Sequence, residues 1–130
     1  MVYFGRKGQA GGYWEAELAH PSLAKKFSVI LPAPTSGPKA AQVEFVRSTV
    51  DDLEGLFSLC RDSFRAELPK WSKAPWPEDW KAAFVLDGLE IPANGDRSGK
   101  WSACYFAKPA NHFFTAHFEN GAVTEVVVDG

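Results

Sequence analysis

The chain is poor in several things that would advertise a function: across 130 residues it has two cysteines, one methionine, three histidines and a net charge of only −2. Cys60 and Cys104 have neither the number nor the spacing of a disulfide framework or a zinc site, so buried free thiols are expected. Acidic and basic residues are interspersed, and without a basic stripe neither nucleic acid nor anionic lipid is expected as a partner. No apolar run approaches the roughly twenty residues that span a bilayer, and the opening Met-Val-Tyr-Phe-Gly-Arg-Lys carries no apolar stretch of signal-peptide length. The expectation is a cytoplasmic protein that does not contact a membrane.

Catalytic signatures are also missing. There is no Gly-x-Ser-x-Gly, no Gly-x-Gly-x-x-Gly after a strand and no metalloprotease helix. The segment from Gly5 to Gly12 is rich in glycine, but it leads into a strand pattern. A phosphate-binding loop needs Gly-Lys-Ser/Thr entering a helix, so the segment reads as a flexible connection.

Aromatic residues are abundant, with ten Phe, five Trp and three Tyr, and a chain of this length buries about two-thirds of its unfolded surface without metal or disulfide. One α+β domain over residues 1–130 is expected, an antiparallel sheet packed against a central helical segment. Tyr13 to Leu18 alternates, with Trp14, Ala16 and Leu18 on one face, and Phe27, Val29 and Leu31 repeat the pattern until Pro32 and Pro34. Helical spacing then takes over near residues 36 to 67. Thr35-Ser36 with Pro38 offers a first helix start, Thr49-Val-Asp-Asp52 a second, and Leu53, Leu56, Phe57, Cys60 and Phe64 form one apolar face that ends before Pro69.

The last thirty residues read as a three-strand meander, Trp101 to Ala107, Phe113 to Glu119 and Ala122 to Val128, the last two joined by the hairpin signal Asn120-Gly121. Regular pairing across that turn sets Phe118 opposite Val123, Phe114 opposite Val127 and His117 opposite Thr124. In that register Glu125 points to the face of Phe114 and Phe118, where burial would raise its pKa. Upstream, Asp87-Gly88 marks either a tight hairpin or a bulge in one longer strand.

Between Leu68 and Trp80, three prolines interleave with Trp71, Trp76 and Trp80. Prolines at this density oppose a regular strand, while Pro77-Glu-Asp-Trp80 opens a short helical turn. The indoles either cap the end of the core or provide a stacking surface, since tryptophan gives large contact area at low entropy cost. His112 and His117 are the remaining binding candidates. Period-two alternation sends them to opposite faces, so His-x4-His-x-Glu is not a metal site, and no metal or cofactor is expected. Cys104 in its apolar strand is expected to be inert, and of the strand carboxylates Asp87, Glu90 and Glu125 only Glu125 stands out.

Two segments, Pro34-Thr35 through Gln42 and the closing hairpin His112 to Phe118, Asn120-Gly121, Val126, resemble small uncharacterised bacterial domains that include immunity proteins of polymorphic toxins. Those domains carry an acidic-His-Gly turn before the last hairpin, where this chain has Asn111-His112-Phe113. The resemblance implies a non-enzymatic, partner-binding α+β domain and carries over no catalytic residue. The leading expectation is therefore a protein-binding domain, with an immunity-type inhibitor as its specific form. Two rival expectations are a small-ligand-binding protein or hydrolytic enzyme with a pocket between helix and sheet, and a carbohydrate-binding module using Trp71, Trp76 and Trp80.

Overall fold

The computed structural model describes residues 2–5, 12–34 and 36–130. Seven strands form one sheet in chain order: β1 (Val2–Gly5), β2 (Gly12–Leu18), β3 (Phe27–Pro32), β4 (Phe84–Glu90), β5 (Trp101–Ala107), β6 (His112–Glu119) and β7 (Ala122–Asp129). Helices α1 (Ala40–Val50), α2 (Leu53–Glu67) and α3 (Trp80–Ala83) fill the long connection between β3 and β4. Every neighbouring pair is antiparallel except β3 and β4, which run parallel. That pair corrects the expectation of a purely antiparallel sheet. A crossover this long carries helices over one face of the sheet and returns the chain in the same direction, so the N-terminal strands and the C-terminal meander become a single mixed sheet.

The N-terminal signals need two amendments. β1 pairs with β2 from Gly5 opposite Gly12 onwards, a strand the sequence pattern did not reveal. Residues 6–11 of the glycine-rich connection, and Thr35 of the proposed first cap, lie outside the described residues. The N-cap of α1 is Lys39, after Pro38. The Lys39 amide donates to Gln42 Oε1 at 2.9 Å, while Gln42 Nε2 donates to the carbonyls of Pro32 at 2.8 Å and Pro92 at 3.2 Å. A fully buried glutamine thus satisfies a helix start and two chain ends of the sheet at once. The second start signal forms as expected, with Asp52 Oδ1 accepting from the Gly55 amide at 2.9 Å.

One face of the sheet meets the helices. Phe27, Val29 and Leu31 from β3, Leu86 and Leu89 from β4, Tyr105 from β5 and Phe114 and Phe118 from β6 are buried there against Leu56, Phe57, Cys60 and Phe64 of α2. Two bulges decide which side chains point inward. In β4, Leu86 pairs with Tyr105 and Gly88 with Cys104, leaving Asp87 as the extra residue, so the Asp87-Gly88 signal is a bulge and not a hairpin. This lets Leu86 and Leu89, three apart, share the core face.

In β7, Phe118 faces Val123 but His117 faces Glu125, because Thr124 is the extra residue and its hydroxyl donates to the His117 carbonyl. One inserted residue reverses every face beyond it. The expected register is corrected accordingly: Phe114 faces Val128, Val126 and Val128 pack on the core, and Val127 and Glu125 are exposed. The Asn120-Gly121 turn itself is as read, with φ of 54° and 78°, the left-handed pair that a two-residue hairpin requires.

Candidate functional site

Three places gather polar or aromatic side chains, and the five residues singled out from sequence are divided among them.

The first is the tryptophan segment. After α2 the chain makes a 3-10 turn at Leu68–Lys70, built on Pro69, and enters the proline-rich stretch. Trp80 lies flat on Phe57 with ring centroids 4.2 Å apart and planes 5° apart, and Trp76 packs on Phe84 at 5.3 Å with the Arg65 guanidinium 5.2 Å from its ring centre. Both are half-buried against the end of the core. Trp71 differs. It is 44% exposed, donates its indole N–H to Glu67 Oε1 at 3.1 Å, and lies 5.1 Å from the His112 ring.

His112 accompanies Trp71 because it stands at the entrance to β6, with Nδ1 2.7 Å from the Ala110 carbonyl. The indole N–H is the main reason the Glu67 carboxyl is held below its ordinary value of 4.5. Leu59, Ser63 and Glu67 fall four residues apart on α2, along one ridge that leads to Trp71. Leu59 is 50% exposed.

The second place is a polar cleft of about 520 Å³ on the opposite face of the sheet. Strand register puts Glu90, Ser102, His117 and Glu125 in one row across β4, β5, β6 and β7. Glu90 and Glu125 are three strand spacings apart, roughly 14 Å, too far to work as a catalytic carboxylate pair. No hydrogen bond joins the His117 ring to Ser102 or Glu125 among the described residues, so the Ser-His-Glu neighbourhood is not an assembled triad. No three His, Cys, Asp or Glu side chains come together as a metal site among the described residues. Cys104 shares this face next to Thr115, and burial raises its thiol pKa. Cys60, beneath α2, is pushed up to about 12 by burial. Neither thiol has the lowered pKa of a nucleophile.

The third place is a cavity of about 490 Å³ between the helices and the sheet, reached past the β2–β3 connection. Leu23, Leu53, Trp80, Phe84, Leu86 and Tyr105 form its apolar wall, and Lys25, Lys81, Lys108, Asp51, Asp52 and Glu54 stand around it. Lys81 and Glu54 join across it at 2.7 Å, linking α3 to α2. Tyr105 is 2% exposed, and burial raises its hydroxyl pKa well above 10. Sequence reading placed Tyr105 in a strand without singling it out, and only the assembled fold sets it beside a cavity.

No family model, curated protein or solved structure matches this chain. None of the described helices is long and apolar enough to cross a membrane.

Proposed function

We propose that this chain is a non-enzymatic domain that binds another protein through the α2 ridge and the tryptophan that follows it. The observation that carries this reading is Trp71, a large exposed ring already fixed by a hydrogen bond to Glu67 and a ring contact with His112. A tryptophan held in place loses little entropy on association, and its indole face gives the contact area typical of an interface hot spot. Leu59 extends the same ridge about 12 Å from the level of Glu67, at 1.5 Å per helical residue. Glu67 lies on the ridge and Asp62 beside it, while Arg61 and Arg65 stand on the opposite flank of α2, Arg65 over the Trp76 ring, so the ridge itself carries acidic side chains and does not suit a polyanion.

The arrangement favours this single-anchor reading over a sugar platform. Trp76 and Trp80 turn onto Phe84 and Phe57, away from a shared surface with Trp71. The finer form of the proposal is an immunity-type inhibitor whose partner is a bacterial toxin, and its support is the resemblance in the Pro34-to-Gln42 segment and the closing hairpin.

The test is affinity capture from the source cell with the wild-type chain, Trp71→Ala and Leu59→Asp, each checked for an unchanged denaturation midpoint. The reading predicts a protein retained by the wild type and lost from both variants. Equal retention by all three contradicts it.

A further inference from the structure

β7 is the last strand of the sheet, and one of its long sides has no neighbouring strand. The His117 carbonyl points toward β7, where it accepts from the Thr124 hydroxyl, and His117 pairs with Glu125. Backbone groups alternate in direction along an antiparallel strand, so Glu125, Val127 and Asp129 bond back to β6 while Val126 and Val128 turn their amides and carbonyls outward. Those outward groups have no backbone partner among the described residues. β7 carries neither lysine nor proline, the residues that commonly blunt an edge, and only the bulge at Thr124 interrupts it. Residues 125–129 are left open to a further strand.

The α2 ridge overlooks this edge. Of all the strands, β7 lies nearest α2. The flank of α2 that carries Phe57 and Arg65 is turned to Trp76, Trp80 and Phe84, on the β4 side. Leu59, Ser63 and Glu67 stand on the other flank, toward β7, and the ridge ends where Trp71 meets His112, beside the pair that closes β7, Phe113 and Asp129. Leu59 to Glu67 spans about 12 Å and residues 125–129 about 14 Å, so ridge and open edge run side by side over the same length.

Charge selects the strand that fits. Glu125 and Asp129 on the face away from α2, and Asp62 beside the ridge, form no ion pair among the described residues. A second copy of β7 would bring the same carboxylates together on one side of the joined sheet, which opposes self-pairing.

We propose that the partner of the α2 ridge presents an extended strand that adds to β7, in which lysine or arginine alternates with apolar residues. The inference rests on the ridge reading above and names the kind of segment the ridge takes. Residues bonded to Val126 and Val128 carry the apolar side chains, which lie under Leu59 and Trp71. Their basic neighbours lie on the other side, beside Glu125 and Asp129. Main-chain hydrogen bonds supply the affinity and the alternation supplies the selectivity.

The probe is acetyl-Lys-Val-Lys-Val-Lys-Val-Lys-amide, titrated into the full chain by calorimetry at low salt. A Kd on the order of 1 mM or tighter is expected for so short a strand. The peptide N-methylated on its valines loses the donors that meet β7, and it should not bind. Acetyl-Lys-Lys-Lys-Lys-Val-Val-Val-amide, equal in charge and composition, should bind about tenfold more weakly, because block order cannot match both faces. The double variant Glu125→Lys, Asp129→Lys and the variant Trp71→Ala, each with an unchanged denaturation midpoint, should both weaken the alternating peptide. No binding at millimolar concentration, or equal binding of the methylated or block peptide, overturns the proposal. Unchanged binding by Trp71→Ala does so too, since the strand would then lie away from the ridge, and a dimer of the free chain that Val126→Pro abolishes would give the edge to a second copy. A captured protein that Trp71→Ala releases, without any strand at β7, would leave the ridge reading standing and remove only this inference.

Discussion

Trp80 lies parallel to Phe57 at 4.2 Å, so the ring that ends the proline-rich segment is a lid on the core of α2. Trp71, nine residues earlier, rests on a histidine and a carboxylate at the surface. The two tryptophans should therefore respond differently to truncation. Trp80→Ala and Trp76→Ala are expected to cost roughly 2 to 4 kcal/mol, somewhat below the figure for a fully buried ring. Trp71→Ala should cost about 1 kcal/mol or less, as at surface positions generally. Urea denaturation midpoints of the three variants check this ordering.

The Glu67–Trp71 hydrogen bond gives a pH dependence with a definite sign. The indole N–H holds the folded carboxyl below its ordinary 4.5, so the contact's contribution is fully present above that value and is lost as pH falls through the lower, folded value. Between pH 6 and pH 3, the emission of Trp71, obtained as the difference between the wild type and Trp71→Phe, should change in a single step below about 4.5. Glu67→Gln should abolish the step. A step that persists in Glu67→Gln would contradict the assignment.

Gln42 joins the start of α1 to the ends of β3 and β4 through two hydrogen bonds, accepts a third from the Lys39 amide at its own helix start, and is wholly buried. Gln42→Met keeps most of the volume but strands the Lys39 amide and the Pro32 and Pro92 carbonyls. A loss of roughly 2 to 4 kcal/mol is expected, since each buried unpaired group costs about 1 to 3 kcal/mol before the site relaxes. Thermal and urea unfolding of this variant measure it, and a loss under about 1 kcal/mol would show that the three groups find other partners.

The core-facing alternation of β3 and β6, the α2 stripe from Leu53 to Phe64 and the Asn120-Gly121 turn were all legible in the sequence, because period and turn chemistry are local properties. The errors came from single inserted residues and from pairing at a distance. Thr124 carries no mark of a bulge, yet it moves Glu125 from the core face to solvent. Nothing local announces that β3 and β4, separated by all three helices, run parallel. Likewise Trp71 and Trp80 belong to one proline-rich segment, and only the folded chain distinguishes the exposed ring from the stacked one.

The bulge has a counterintuitive consequence. Deleting Thr124 leaves Val123 facing inward and Glu125 outward in strict alternation, so the register of residues 125–129 against β6 is preserved. The deletion variant is expected to fold with stability within about 1 kcal/mol of the wild type, an outcome that urea titration tests. Loss of folding would show that the bulge itself is needed to fit β7 beside α2.

The proposal that the α2 ridge binds a protein is tested most directly by hydrogen–deuterium exchange of the full chain, alone and with the protein it captures. Binding through Trp71 predicts new protection along residues 58–71 and at the start of β6, around His112, with the far-face row at Ser102 and His117 unchanged. Protection confined to that far face, with residues 58–71 exchanging as in the free chain, would contradict the account.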